Sequence, residues 1–174
     1  MNYYAEIDGQ TVGPLPKWLL GARGLTKNTP VWTAANPQRV AAATVPELAA
    51  MLDLKPGPGE KAPDRFYVSL MKHAGFNTTN AHLFVFDDYI CIEPQRALSV
   101  MNANFSKSGY TRQYIGLHEI TALQKGFMAR RHIKTIDGRD IVIGTWKRAV
   151  FDAIETRREA HFRRRGIPAP PLKK

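Results

Sequence analysis

The sequence predicts an α+β protein of two modules: a small α+β domain, then a β-sandwich or barrel closed by a C-terminal amphipathic helix. Three observations predict it. Strand and helix textures alternate over residues 1–54. The stretch "DLKPGPGEKAPD", with three prolines and two glycines in twelve residues, then interrupts the apolar periodicity. About seven short apolar-rich runs follow it, ahead of one long amphipathic segment. The expected organisation is therefore a front domain at 1–54, a linker at 55–64, a basic domain at 65–165 and a proline-rich tail at 166–174.

In the front module, "YYAEIDGQTVGP" places large residues around Asp8-Gly9, a hairpin signal because glycine takes φ > 0 without steric cost. Leu15, Trp18 and Leu19 follow at helical spacing, with Gly24 as the stop. "NTPVWTA" reads as a short strand. "TVPELAAML" reads as a helix capped by Thr44, with Pro46 early and Glu47 three residues after the cap. The order is strand, strand, helix, strand, helix.

These residues resemble the bacterial GYF-like domains of the GYF_2 type. The resemblance spans about residues 2–54 and rests on Tyr3 and Tyr4, "DGQTVGP", "WLLGARGL", "TPVW" and "VPELAAML". It implies a small interaction module that in some relatives reads proline-rich peptides, and it makes Tyr3, Tyr4, Pro14, Trp18 and Trp32 the candidate peptide-binding residues. Those aromatics either fill a small core or form a groove for an extended ligand. In peptide-binding relatives a glycine–tyrosine–phenylalanine triplet completes the aromatic platform. Here Gly24, Leu25 and Thr26 follow the helix, and Arg39 stands where relatives commonly carry a further Trp.

In the second module "RFYVSLMK", "HLFVFD", "DYICIEP", "RQYIGL", "ITALQK", "FMARRHIKTI" and "RDIVIGT" have strand texture. Asp137 and Gly138 mark a hairpin, and "EPQRALSVMNANF" breaks the pattern as a helical insertion. From Thr145 as cap, Trp146, Val150, Ala153 and Ile154 form one apolar stripe of a final helix; the stripe weakens beyond Arg157, so the helix is expected to project or fray there, and Gly166 stops it. About seven strands followed by an amphipathic helix are similar to the pleckstrin-homology-like (PH-like) fold of bacterial and GRAM-type domains. That likeness implies a non-enzymatic module binding phosphoinositides, anionic membranes or proteins. The stretch between its first two strands, "KHAGFNTTNAH", offers Lys72, His73 and His82, too few cations for phosphoinositide reading.

The net charge of +10 is carried entirely by the back of the chain: residues 65–174 hold 19 basic and 9 acidic side chains. Arg130, Arg131 and Lys134 lie in one strand, and Lys147, Arg148, Arg157, Arg158, Arg163, Arg164 and Arg165 lie along the last helix. They are either an ordinary solvated face or a surface for lipid headgroups or nucleic acid. One cysteine, Cys91, excludes an intrachain disulfide and a CxxC metal site, and its place between apolar strand residues suits a small buried hydrophobe. "LHEITAL" begins like a zinc-protease motif, but Ala122 stands where the second histidine is needed. His73, His82, His118, His132 and His161 lack ligand spacing, so neither metal nor cofactor is expected. No apolar run approaches the roughly 20 residues of a membrane helix, and the first residues lack a signal-peptide pattern, which makes a cytoplasmic protein the simplest reading.

The tail "IPAPPLKK" has polyproline-prone composition and is either frayed or a ligand, for the front module or for a separate partner. The leading expectation is a non-enzymatic adaptor mediating protein–protein interaction, with a protein or proline-rich peptide as partner. The alternative is a peripheral binder of anionic membrane or nucleic acid through the basic C-terminal helix.

Overall fold

The computed structural model describes residues 1–72, 77–95 and 112–173. His73 and most of the segment expected to form a helical insertion lie outside the described residues. The front module contains β1 (Asn2–Ile7), β2 (Gln10–Pro16), α1 (Lys17–Ala22), β3 (Pro30–Trp32), β4 (Val40–Ala41) and α2 (Pro46–Leu52). Its antiparallel sheet has the order β2-β1-β3-β4. Asp8 and Gly9 form the β1–β2 turn with φ of 51° and 74°, the left-handed pair that matches strand twist. Thr44 does not cap α2: its hydroxyl donates to the Ala41 carbonyl at 2.7 Å within a short 3-10 turn, and Val45 occupies the cap position. Glu47 is likewise not part of a capping box, since its carboxylate accepts from the Tyr3 hydroxyl.

The second module contains β5 (Asp64–Lys72), β6 (Asn77–Val85), β7 (Tyr89–Pro94), β8 (Gln113–Gly116), β9 (Ile120–Lys125), β10 (Arg130–Thr135), β11 (Asp140–Gly144) and α3 (Ala149–Arg164). All seven strands pair antiparallel, in the order β8-β7-β6-β5-β11-β10-β9. Among the described residues the sheet is not closed: β8 and β9 are its two edges, so the expected barrel is not shown, and an open sheet with a helix on it is what the described strands form. Leu83, Val85, Ile90, Ile92, Ile115, Ile133 and Ile143 pack with Val150, Phe151 and Ile154 of α3 in one core.

Two helix expectations are corrected here. The helix begins at Ala149, so Trp146 precedes it and is 76% exposed instead of joining the stripe. Thr145 holds this segment out of helical geometry: its backbone N–H donates to the Ala129 carbonyl at 2.8 Å, and its hydroxyl accepts from the Lys147 N–H at 3.2 Å. The far end does not fray either, since Arg158, His161 and Phe162 are buried as far as the last turn.

Strands β6 to β8 are covered on both faces. Leu83, Val85, Ile90, Ile92 and Ile115 face α3, while Phe84, Phe86, Tyr89, Cys91 and Tyr114 share a second core with Tyr3, Ala5, Trp18, Leu20, Val31, Leu48 and Met51 of the front module. The alternation follows from strand geometry, in which successive side chains point to opposite faces. Close approach requires glycine twice. A β-carbon on Gly21 of α1 would lie 2.9 Å from the Tyr114 ring, and one on Gly116 of β8 would lie 2.8 Å from Trp18 Cζ2. Polar contacts border the junction: Lys17 pairs with Glu60, and Arg112 Nη1 donates to the Leu52 carbonyl at 2.8 Å.

Candidate functional site

Register pairs Tyr4 of β1 with Trp32 of β3, and their rings stack at 5.8 Å between centroids with 11° between planes. The Arg39 guanidinium lies over the Trp32 ring at 4.7 Å and donates to Glu6 at 2.8 Å. Both aromatics are half-buried and so keep accessible surface. Beside them a groove of about 360 Å³ is lined by Met1, Tyr3, Val31, Trp32, Val40 and Val45, with Gln38 and Asn36 at its polar side. Apolar walls with a few polar groups are the usual make-up of a recognition groove.

The other candidates sit elsewhere. Trp18 is 5% exposed and lies edge-on to His118 at 5.6 Å, inside the junction between modules. Tyr3 is 3% exposed; burial, followed by the neighbouring Glu47 carboxylate, pushes its hydroxyl pKa well above the ordinary value. Pro14 is exposed on β2, after a cis peptide bond. The structure thus brings Tyr4 and Trp32 together, adds Arg39, and leaves Tyr3 as a groove wall and Trp18 as core. Arg39 was legible as a departure from the family pattern, but its position over Trp32 was not.

The basic residues do not form one patch. Arg157 donates to Asp64 at 3.1 Å, to the Ala62 carbonyl at 2.8 Å and to Asp87, and Arg164 reaches the Asp87 carbonyl at 2.7 Å and Asp88 at 3.3 Å. Arg158 is 4% exposed, lies over the Phe162 ring and donates to the Pro170 carbonyl at 2.8 Å. Arg131 is buried over Phe151, and Arg165 contacts His161. Lys134 is half-buried on β10, while Lys147, Arg148 and Arg163 are exposed. Much of the charge along α3 therefore secures the helix to the β6–β7 turn and the tail.

The tail lies on its own second module rather than on the front module. Lys173 donates its N–H to the Thr121 carbonyl and accepts from the Leu123 N–H, each at 3.1 Å, as a parallel bridge on edge strand β9. Leu172 packs against the core beneath. An open sheet edge is a template for an added strand, and the tail uses this one in cis.

His161 is 1% exposed on its side chain, with Nδ1 2.8 Å from Asp88 and Nε2 2.5 Å from Arg165 Nη1. Arg165 has only donors to offer, so Nε2 accepts and the neutral ring donates from Nδ1 to the carboxylate. Burial is the main cause holding the imidazole pKa below its ordinary value, despite the Asp88 carboxylate beside it. The unfolded chain then binds the proton first, and stability falls as pH drops below about 6.5. We expect the melting temperature to decline between pH 7 and 5, and to decline less in a His161→Gln variant; an unchanged slope in that variant would assign the effect to another group. Cys91 is fully buried, and chiefly by that burial its thiol is pushed up to about 12, which makes it a packing residue. Among the described residues no group of three His, Cys, Asp or Glu side chains could hold a metal ion, and no helix is long and apolar enough to cross a membrane.

Residues 3–48, within the front module, match the family model described as GYF domain 2. No curated protein matches the chain. Among solved structures, the C-terminal domain of an unknown protein from Leishmania infantum is similar at 17% identity and a TM-score of 0.43, covering 57% of this chain and 85% of that one. The N-terminal PH domain of human ARAP2 is similar at 10% identity and a TM-score of 0.44, covering 64% of this chain and 90% of that domain. The second module is characterised by its own seven-strand order and following helix, described above.

Proposed function

We propose that the chain is a non-enzymatic adaptor mediating protein–protein contact, and that its front module receives an extended, proline-rich peptide on Tyr4, Trp32 and the adjoining groove. The observation that carries this reading is the stacked Tyr4–Trp32 pair with Arg39 over the Trp32 ring. A polyproline helix is already extended and loses little entropy on docking, and flat aromatic faces fit its ridges. Arg39 limits access to one side of the indole and directs the ligand toward the groove formed with Met1, Val40 and Val45. The GYF-type match supports the ligand class, and the docking of this module on β6–β8 supports a fixed presentation of its outer face.

The test is titration of a synthetic proline-rich peptide into the full chain, followed by NMR and tryptophan fluorescence. We expect shifts centred on Tyr4, Trp32 and Val40, and a loss of affinity of about tenfold or more in Trp32→Ala, as for an aromatic anchor. Trp32 is half-buried, so the variant should retain its fold and melt near the parent. Shifts centred elsewhere, or affinity unchanged in Trp32→Ala, would remove this site.

A further inference from the structure

A second surface lies between edge strand β9 and α3, apart from the Tyr4–Trp32 groove, and the chain's own tail occupies it. Gly166, with φ of 68°, reverses the chain after α3, and the Ile167 N–H closes the turn on the Phe162 carbonyl at 3.2 Å. The tail then crosses to β9, where the bridge of Lys173 with Ala122 supplies two strand hydrogen bonds. Its hold is slight. Pro168, Pro170 and Pro171 have no N–H to donate and are exposed, and Leu172 is only half-buried. Between the tail and α3 there is a groove of about 430 Å³, lined by Glu159, Arg163, Gly166, Ile167, Pro168 and Ala169.

Arg158 shows that more than packing is at stake here. It is 4% exposed, yet among the described residues no carboxylate forms an ion pair with it and its Nε has no hydrogen-bond partner. Nη1 donates to the Pro170 carbonyl at 2.8 Å, and the guanidinium lies over the Phe162 ring at 4.9 Å. Burying a cation without a counter-ion is costly, and a neutral carbonyl offsets less of that cost than a carboxylate does. Glu159, the carboxylate whose charge reaches Arg158, is exposed and lines the groove together with Arg163, so these two balance each other. The β9 edge, the seat of Leu172 against the core and Arg158 together fit a ligand that is extended, leucine-bearing and acidic. The tail meets the first two of these conditions and lacks the third.

We propose that this surface docks an extended acidic segment of a partner protein, with a carboxylate about two residues ahead of a leucine, and that the tail is its built-in competitor. The segment adds to β9 in parallel as Lys173 does, seats its leucine where Leu172 packs, and offers its carboxylate to Arg158 in place of the Pro170 carbonyl. Main-chain bonds to the edge give affinity, and the arginine selects for acid. Because it is tethered, the tail competes at high effective concentration, so a slight hold is enough to cover the edge until such a partner arrives. The inference does not rest on the peptide reading of the front module.

The experiment measures fluorescence anisotropy of two labelled peptides, residues 166–174 as they stand and the same peptide with Pro170→Glu. They are titrated with the full chain and with a chain ending at Pro168, which keeps the turn at Gly166. The shortened chain should bind the acidic peptide about tenfold or more tighter than the native one. The full chain should bind the acidic peptide about tenfold or more weaker than the shortened chain does, because the tail competes. Arg158→Met in the shortened chain should abolish the preference for acid while the fold persists, since an apolar side chain of similar length can replace a buried charge. If the shortened chain does not melt cooperatively, the full chain with Leu172→Ala and Lys173→Pro takes its place, having lost the apolar anchor and the N–H to Thr121. Binding should survive Trp32→Ala, which separates this site from the front groove. The proposal is overturned by no binding of either peptide, by equal affinity for the two, by a preference for acid that Arg158→Met retains, or by loss of binding in Trp32→Ala. A full-chain dimer that dissociates when the tail is removed would also overturn it, assigning the edge to tails exchanged between copies.

Discussion

Replacing Trp18 by alanine lowers the stability of the whole chain by about 3–5 kcal/mol, the range for deleting a buried aromatic. The indole is 5% exposed, reaches Gly116 so closely that a β-carbon there would collide with it, and meets His118 edge-on. Domains of this size have about 5–15 kcal/mol in total, so the loss is a large share. Urea denaturation followed by far-UV circular dichroism and by tryptophan fluorescence provides the check. The parent should unfold in one transition seen alike by both probes, because the front core is completed by residues of β6, β7 and β8. In Trp18→Ala the midpoint should fall steeply. A small shift, or two separate transitions in the parent, would mean that the junction contributes little to either module.

Separating the modules should have an effect as large. A fragment ending at residue 63 lacks Phe84, Phe86, Tyr89, Cys91 and Tyr114, which form one wall of its core, and a front piece of this length is near the lower limit for an independent fold. We expect the fragment to show poor dispersion in NMR spectra and to bind a hydrophobic dye. The complementary fragment from residue 64 should expose the same five side chains and self-associate, because an uncovered apolar sheet face of that extent is an aggregation surface. Mixing the two fragments should restore dispersion. A front fragment that is fully dispersed alone would show that the shared core is dispensable. The peptide experiment is set on the full chain for this reason.

The same contacts explain what the chain's local patterns express and where they stop. The Asp8-Gly9 turn, the stops at Gly24 and Gly166, and the seven strand segments were all legible. Each depends on a residue's own backbone preference or on neighbours a few positions away. Thr44 and Thr145 failed as caps because other groups compete for their hydroxyls and backbones: Thr44 bonds back to Ala41, and Thr145 is tied to Ala129 from a different hairpin. Trp146 fits a helical stripe by spacing, yet that tie places it outside the helix.

One signal of the junction lies in the strand texture itself. "LFVF" and "YICI" are continuous apolar runs, whereas a strand with one wet face alternates. Continuity announces burial on both faces, and here the second cover is the front module. Which aromatics line a groove and which fill that junction could not be told from residue type, since Trp18 and Trp32 are equally apolar. The arginines of α3 follow the same rule. Composition shows their charge, but only the chain's path brings Asp64, Asp87 and Asp88 up to Arg157 and Arg164 and leaves Lys147 and Arg148 outside.

The sequence by itself determined the order of most elements, the charge asymmetry and the chemical kind of each candidate residue, because these depend on local preference and composition. The tertiary structure decided which candidates share a surface. Docking of the front module took Trp18 out of reach and left Tyr4 and Trp32 in place, and the Thr145–Ala129 contact turned a predicted core tryptophan, Trp146, into an exposed one. Such outcomes depend on contacts between segments distant in sequence, which residue spacing does not encode.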